Sequence, residues 1–385
     1  MENHPPSTPL LVFSDDWGRH PSSCQHLIRH LLPQHPVWWV NTIGTRKPNW
    51  SFNTLKRGFA KLGEWCFPST SIPRQNANPI VLSPRMWPTF ASFWSRSLNR
   101  WLLERALRPV IRAMPEAPVA LTTIPLVADL IGHLPVRRWV YYCVDDFTQW
   151  PGYDGETLRL METSLITRVD RRIAVSQHLV ERFERLGQPS TLLTHGIDPD
   201  FWQPQQQQPV PELTKLPRPI YLFWGLIDQR MEEEWVAYLA SRINGQGSIV
   251  LVGPEAEPAV RLRNNSSLHF TGAVPIDRLP HFAQVADVLV MPYRDIPATQ
   301  AMQPLKLKEY LATGKPVVVR DLPATREWAE ALDLAATAEE FAGVAQRRAT
   351  EGLPPSQMQA RERLQSESWA TKAQLLRNWM LQESA

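Results

Sequence analysis

Residues 303–319, QPLKLKEYLATGKPVVV, place two cations and a carboxylate at the start of an apolar segment. Pro304 suits the first turn of a helix, because its missing N–H would have no intrahelical partner there. Gly314 suits the end of the helix. The apolar spacing therefore predicts a helix over Pro304–Thr313, followed by a strand over Val317–Val319 that is covered on both faces.

The amino end of this helix could bind phosphate. The positive end of the helix dipole would lie at Pro304, and free N–H groups would be available from Leu305 onward. Lys306 or, alternatively, Lys308 would add a full charge. Glu309 follows one turn later, where a carboxylate could accept hydrogen bonds from a ribose diol. This pattern predicts a site for a nucleoside diphosphate. The competing interpretation is an ordinary amphipathic helix with solvated charges.

The same segment resembles the nucleotide-sugar motif of glycosyltransferases with the two-domain GT-B fold. In family 4 (group 1) enzymes, two Glu separated by seven residues precede a Gly and a Pro-Val-Val pattern. Here Glu309 matches the second Glu, whereas Ala301 stands at the position of the first. The Pro-Leu-Lys sequence in front is more similar to the corresponding helix of the membrane-associated glucuronosyltransferase type. The resemblance implies a nucleotide-diphosphate-sugar as donor substrate, no permanently bound cofactor and no bound metal.

Size and composition are those of a soluble globular protein. The 385 residues suffice for two domains, and 43% are hydrophobic and 21% charged. The sequence contains no apolar run of the roughly 20 residues that a membrane span needs. It shows no signal-peptide pattern at its start, and its three cysteines fit neither a zinc spacing nor a disulfide framework. We therefore expect a cytoplasmic location.

The net charge of +3 is unevenly distributed. Between Arg46 and Arg112 the sequence contains twelve Lys or Arg but only two Glu, and Trp and Phe residues alternate with these cations. Such a segment favours peripheral contact with an anionic membrane, for example the inner face of the plasma membrane. A Trp-rich core helix with solvated arginines is the alternative. Nucleic-acid binding is disfavoured, because no recognisable module for it is present.

Short apolar strands alternate with helices along the whole chain, which predicts an α/β protein with parallel sheets. The Gln- and Pro-rich stretch 203–211 predicts a linker. We therefore expect two doubly wound, Rossmann-like domains. Residues 1–203 would bind the acceptor and residues 212–368 the nucleotide-sugar. By analogy with GT-B enzymes, the domains would face each other across a cleft and a helix over about 369–385 would return to the first domain.

Ligands of such sheets bind beyond the carboxyl ends of the strands. Asp145 and Asp146 follow the predicted strand 139–144. Either carboxylate could act as the general base that takes a proton from an acceptor hydroxyl, or could cap a turn. The glucuronosyltransferase resemblance favours Asp145 as the base. His20, in the first loop, is a further candidate base. With Ala301 in place of an acid, Asp145 as base favours inversion at the anomeric carbon.

Other donor-site candidates lie at predicted strand ends. Gly225 would let backbone approach phosphate, and Arg230 could neutralise the diphosphate or pair with a neighbouring acid. The remaining candidates rest on the resemblance or on position: Gly253 matches a base-binding strand end, His195 a turn that would face the cleft, and Tyr293 could stack on the base or pack internally. The Asp198-x-Asp200 pattern is not expected to bind metal, since it lies beside the linker.

These observations predict a hexosyl- or glycosyltransferase of polysaccharide or glycolipid synthesis, which moves a sugar from a nucleotide donor to a sugar or lipid-linked acceptor. Fingerprints of dinucleotide-binding, Walker, zinc-protease and serine-hydrolase sites are missing. The alternatives are another nucleotide-sugar enzyme, such as an epimerase, and a non-catalytic sugar-nucleotide-binding protein. The donor base, the sugar, the acceptor and the oligomeric state are not specified by the sequence.

Overall fold

The computed structural model describes residues 7–18, 22–41, 78–149, 154–203, 210–255, 262 and 265–382. The chain forms two compact units, one of residues 1–194 with 372–385 and one of residues 195–371. The described helices include none that is both long and apolar enough to cross a membrane.

The first unit is built around a seven-stranded sheet in the order β3-β2-β1-β4-β5-β6-β7, and every paired strand is parallel. Strand β1 is buried along its whole length, as expected for a sheet with both faces covered. The strands are β1 Leu10–Ser14, β2 Val37–Asn41, β3 Ile80–Leu82, β4 Val119–Thr122, β5 Arg138–Cys143, β6 Arg171–Ala174 and β7 Thr191–Leu192.

The second unit repeats this architecture with six parallel strands in the order β10-β9-β8-β11-β12-β13. Its centre consists of fully buried apolar runs, which is why these segments form strands rather than amphipathic helices. The strands are β8 Ile220–Trp224, β9 Ser248–Val252, β10 Leu268–Gly272, β11 Val288–Met291, β12 Val317–Arg320 and β13 Asp333–Ala335.

Helices connect the parallel strands in both units. In chain order, the described α-helices are α1 Ser23–Leu31, α2 Phe93–Arg112, α3 Gly155–Ile166, α4 Gln177–Arg185, α5 Pro211–Thr214, α6 Glu233–Ile243, α7 Leu279–Val285, α8 Pro297–Ala301, α9 Leu305–Ala312, α10 Pro323–Arg326, α11 Ala338–Glu351, α12 Pro355–Ala360 and α13 Trp369–Leu381.

The helix predicted over Pro304–Thr313 is one residue shorter at each end. Pro304 has φ −71° and ψ 112°, so it precedes the first turn of α9 rather than belonging to it. Helix α13 begins at Trp369, where the sequence predicted its start, and ends at Leu381. The Ser368 hydroxyl accepts a hydrogen bond from the N–H of Thr371 at 3.1 Å, which caps this start.

The C-terminal residues pack within the first unit. The Arg138 guanidinium donates to the carbonyl oxygen of Met380 at 2.9 Å, and Arg377 bonds the ring of His35 at 2.9 Å. Lys372 donates to the Thr194 hydroxyl at 3.1 Å. The predicted linker lies partly outside the described residues, at 204–209, and the proposed domain limits stay predictions.

Candidate active site

The strand order of the second sheet reverses between β8 and β11, and a crevice at the carboxyl ends of such strands is the usual ligand site of doubly wound sheets. Gly225 follows β8, and Tyr293 lies two residues beyond β11. Lys306 lies in the first turn of α9, which precedes β12. The topology therefore brings three predicted site residues to one edge of this unit.

Gly225 and Gly253 make a close backbone approach at this edge. Their φ angles are 139° and 145°, which side chains rarely allow. A Cβ atom on Gly253 would lie 1.9 Å from the carbonyl oxygen of Gly225. A Cβ atom on Gly225 would lie 1.8 Å from the Lys306 ammonium nitrogen. Glycine at 225 thus leaves room for the lysine, and glycine at 253 leaves room for the Gly225 backbone.

The Lys306 ammonium is held over two aromatic rings. Its nitrogen lies 4.9 Å from the ring centre of Phe223 and 5.4 Å from that of Tyr293. Tyr293 is buried, with 2% of its surface exposed, and meets Phe223 edge to face. The ring of Tyr293 therefore contacts the lysine from below. Of its two predicted roles, the structure shows internal packing and not an exposed ring for stacking on a base.

The carboxylate of Glu309 is oriented by an indole. Trp224 donates from Nε1 to Glu309 Oε2 at 3.2 Å. Burial raises the pKa of Glu309 to about 7, and the Trp224 hydrogen bond and the charge of Lys306 oppose this increase. Glu309 therefore titrates near neutral pH. Its ionised form would be the better acceptor for hydroxyl groups.

Trp224 is itself fixed on both sides. Trp202 stacks on it with ring centres 5.4 Å apart and an interplanar angle of 8°. The backbone N–H of Trp224 donates to the Tyr310 hydroxyl at 2.9 Å. Sequence reasoning did not find these supports, although an indole at the end of a buried strand could have indicated a polar partner for its N–H.

Lys308, the alternative phosphate ligand, points elsewhere. It is 1% exposed, pairs with Glu367 and donates to the carbonyl oxygen of His195. Its helical position, two residues from Lys306, places it on a different face of α9. The structure thus selects Lys306 as the available cation and gives Lys308 a structural role. His195 is buried, with 6% of its surface exposed.

Arg230 already has an acidic partner. Its Nε lies 2.9 and 3.0 Å from the two carboxylate oxygens of Asp228, and its side chain is 10% exposed. Of the two alternatives for Arg230, pairing with a neighbouring acid is therefore the one present in the structure. A phosphate could share this guanidinium only through its remaining N–H groups.

In the first unit, the turn after β5 carries Asp145 and Asp146. Asp146 is 6% exposed and accepts hydrogen bonds from the backbone N–H and hydroxyl of Thr148. It also lies 3.1 Å from a guanidinium nitrogen of Arg182. Asp145, in contrast, is only partly buried. Of the two carboxylates, Asp146 is thus the one that fixes the turn.

A buried polar network continues beneath this turn. Arg182, on α4, pairs with Glu162 on α3 as well as with Asp146. Glu162 also accepts a hydrogen bond from the Tyr141 hydroxyl at 2.7 Å. Gly155, at the start of α3, has no room for a side chain, because a Cβ atom would lie 2.4 Å from the carbonyl oxygen of Thr148. Two helices therefore hold the turn in place.

The loop after β1 contains an oriented acid that sequence reasoning missed. Asp15 accepts hydrogen bonds from Ser14, Ser22 and Gln25 at 2.7 to 2.9 Å and is exposed. Its position after a buried strand was a usable signal. The candidate base His20 lies outside the described residues.

Asp198 accepts a hydrogen bond from the backbone N–H of Phe201 at 3.4 Å, as in a turn. The described part of the chain contains no group of three or more His, Cys, Asp or Glu side chains that could hold a metal ion.

Two sequence comparisons bear on this site. Residues 218–347 match the sequence model of the family Glycosyl transferases group 1. TuaH of Bacillus subtilis, which is named as a candidate glycosyltransferase of teichuronic acid biosynthesis, is 27% identical over 182 residues. That match spans 44% of this chain and 45% of TuaH, somewhat less than half of each. Residues 218–347 of the second unit are thus similar to group 1 glycosyltransferases, and the predicted resemblance is confirmed.

Solved structures resemble the chain over nearly its whole length. HepE of Anabaena, in complex with UDP, is similar with a TM-score of 0.66 and 14% identity, over 97% of this chain and 99% of HepE. Sucrose-phosphate synthase of Thermosynechococcus elongatus is similar with a TM-score of 0.69 and 17% identity. This match covers 97% of this chain and 98% of the synthase. At these identities the likeness establishes the fold. The prediction of a GT-B fold with two Rossmann-like domains is confirmed.

We predict that Gly253→Ala costs more stability than Gly245→Ala. Gly245 also has a positive φ, 77°, but a Cβ atom there would meet nothing within 4 Å. The control therefore measures the strain of a positive φ alone, about 1 kcal/mol, whereas Gly253→Ala must also displace the Gly225 backbone, whose carbonyl oxygen would lie 1.9 Å from the new Cβ atom, and should cost about 2–4 kcal/mol. Equilibrium unfolding in urea measures both. Equal losses would mean that the collision with the Gly225 backbone does not exist.

The titration of Glu309 predicts a pH-dependent contribution to stability. Below about pH 4.5 its carboxyl is protonated in the folded and the unfolded chain. Between pH 4.5 and about 7 the unfolded chain loses this proton first, so rising pH favours unfolding. We expect this group to cost the wild type about 2 kcal/mol between pH 5 and pH 8, and Glu309→Gln to avoid that cost.

Unfolding free energies of both proteins at pH 5 and pH 8 give the difference directly. Glu339→Gln, at an exposed carboxylate on α11, serves as the control and should keep the pH dependence of the wild type, because it retains Glu309. A Glu309→Gln effect of the same size at both pH values would contradict the raised pKa.

Proposed function

We propose that this protein is a glycosyltransferase that moves a sugar from a nucleoside-diphosphate-sugar to an acceptor hydroxyl in polysaccharide or glycolipid synthesis. The grouping of Gly225, Lys306 and Glu309 at the switch point of the second sheet carries this proposal. All three lie within the segment that matches the glycosyltransferase family. Gly225 would allow the nucleotide-sugar to approach the backbone closely, Lys306 would supply a cation, and Glu309 would accept hydrogen bonds from hydroxyl groups.

The diphosphate would be bound by backbone and charge together. The N–H groups at the start of α9 and the Lys306 ammonium would neutralise it, and Gly225 would let it approach the backbone. As the glycosidic bond to the diphosphate breaks, negative charge grows on the leaving oxygen. A fixed cation at that point lowers the energy of the transition state. We therefore propose transfer that needs no metal ion.

Glu309 would recognise the ribose. Its carboxylate is held by the Trp224 indole and can accept hydrogen bonds from a diol. The carboxylate must be ionised to do this well, so donor binding should strengthen as the pH rises through about 7. Because HepE is in complex with UDP, we propose a uridine nucleotide as the donor base to test first.

Asp145 would act as general base. In the proposed reaction, the acceptor oxygen bonds to the anomeric carbon, the bond from that carbon to the diphosphate oxygen breaks, and the hydroxyl proton passes to Asp145. The Arg182 network supports this assignment, because it occupies Asp146 and fixes the turn that carries Asp145. Attack from the side opposite the diphosphate would invert the anomeric carbon.

We predict that Lys306→Gln weakens the binding of UDP-glucose by about tenfold to a hundredfold, because a charge-assisted contact to the diphosphate is lost. Lys215→Gln, which removes an exposed cation of the same unit, should bind as the wild type does. Calorimetry with UDP-glucose and with guanosine, adenosine and thymidine diphosphates measures this. If Lys306→Gln binds every ligand of the wild type with unchanged affinity, the proposed site is wrong.

We predict that Asp145→Asn lowers kcat by about a hundredfold or more and leaves donor affinity unchanged, since it removes a proton acceptor and no donor contact. Release of UDP from UDP-sugars in the presence of sugar acceptors measures turnover. Glu181→Gln, at an exposed acid of the same unit, is the matched control. Full activity of Asp145→Asn would refute its role. Turnover that never requires an acceptor would refute glycosyl transfer.

A further inference from the structure

Helix α2 packs into the first unit through one buried face. Five side chains spaced four residues apart are buried, and their spacing marks a single stripe along the helix. These residues are Ser95, Asn99, Leu103, Leu107 and Ile111. The amino-terminal part of the stripe is polar: the Asn99 side chain bonds the backbone of Trp87 and Thr89, at 2.6 to 3.1 Å. The helix is thus oriented by specific contacts.

The opposite face is apolar and exposed. Trp94, Leu98 and Trp101 follow one another at helical spacing, with 81%, 41% and 56% of their surfaces exposed. Phe93, 75% exposed, lies beside Trp94 with ring centres 5.9 Å apart. An ordinary surface helix places polar residues here. We call these four residues the tryptophan face.

The charges around the tryptophan face are almost all positive. Arg105 and Arg112 are exposed on the continuation of the same helix, and the Arg105 guanidinium lies 5.8 Å from the Trp101 ring. Glu104 is the one acid between residues 78 and 112. It is 20% exposed and is paired with Arg108 at 3.2 Å. An approaching surface would therefore meet indole rings and two arginines, Arg105 and Arg112, that have no acidic partner among the described residues.

We propose that the tryptophan face, with Arg105 and Arg112, docks the protein on a membrane surface that contains anionic lipids. Indole rings partition to the level of lipid headgroups, and guanidinium groups pair with phosphate there. The exposed residues from Trp94 to Arg105 extend over about 17 Å along the helix axis, which is long enough for a helix that lies on a bilayer. A protein partner would instead need acidic groups that match these arginines.

This docking deepens the proposed function, because it specifies a lipid-linked acceptor. That part rests on the glycosyltransferase activity, whereas the docking itself does not. A first unit held at the bilayer would meet an acceptor sugar whose anchor stays in the lipid, and the acceptor would not have to leave the membrane.

Co-sedimentation with vesicles tests the docking. The wild type should bind vesicles of phosphatidylcholine and phosphatidylglycerol at least about tenfold more tightly than phosphatidylcholine alone. Trp94→Ser/Trp101→Ser and, separately, Arg105→Gln/Arg112→Gln should each reduce binding by about tenfold or more. Leu160→Ser removes a 51% exposed apolar side chain elsewhere in the first unit and should bind as the wild type does. Thermal unfolding in the absence of lipid verifies that each variant is folded.

Three outcomes would overturn the docking: wild type that ignores anionic vesicles, folded tryptophan variants that bind unchanged, or equal binding to neutral vesicles. A wild-type dimer that dissociates in Trp94→Ser/Trp101→Ser, without vesicle binding, would assign the face to a second copy and also overturn it. Vesicle binding without any sugar transfer would support the docking and contradict the proposed activity. Transfer to soluble acceptors without vesicle binding would support the proposed activity and contradict the docking.

Discussion

The arrangement of the second unit depends on the close packing of backbone beside a lysine. Two glycines at neighbouring strand ends remove the side chains that would otherwise fill the edge of the sheet, and Lys306 occupies the space beside Gly225. The rings of Phe223 and Tyr293 lie beneath its ammonium group. Because a cation over aromatic faces keeps much of its charge available, this geometry holds positive charge ready for an anion.

The two units use buried polar groups in different ways. In the second unit, the supports of Glu309 are aromatic: Trp224 donates to it, and Trp202 and Tyr310 fix Trp224. In the first unit, the supports of the Asp145 turn are ionic, with Arg182 between two carboxylates. Burial among its aromatic supports raises the pKa of Glu309, and the hydrogen bond from Trp224 opposes that increase.

The parallel sheets, and the grouping of candidate donor-site residues at one edge of the second sheet, could be predicted from the sequence, because both follow from local patterns. Continuous apolar runs such as Val317–Val319 indicate buried strands, and Pro304 and Gly314 delimit α9. The choice between Lys306 and Lys308 could not be made, since it depends on Glu367, 59 residues from Lys308. The same holds for Asp146, whose partner Arg182 lies on another helix, and for the Trp202–Trp224 stack. Such contacts arise only when distant segments fold together.

The return of residues 372–382 to the first unit has a consequence for biosynthesis. Leu376 and Met380 are fully buried, and Arg138 of β5 bonds the Met380 carbonyl. These contacts need residues that leave the ribosome only after the entire second unit has been translated. The second unit is contiguous in the chain and can fold while still nascent. The first unit must wait with its last helix missing, so its final packing can occur only after the second unit has been synthesised.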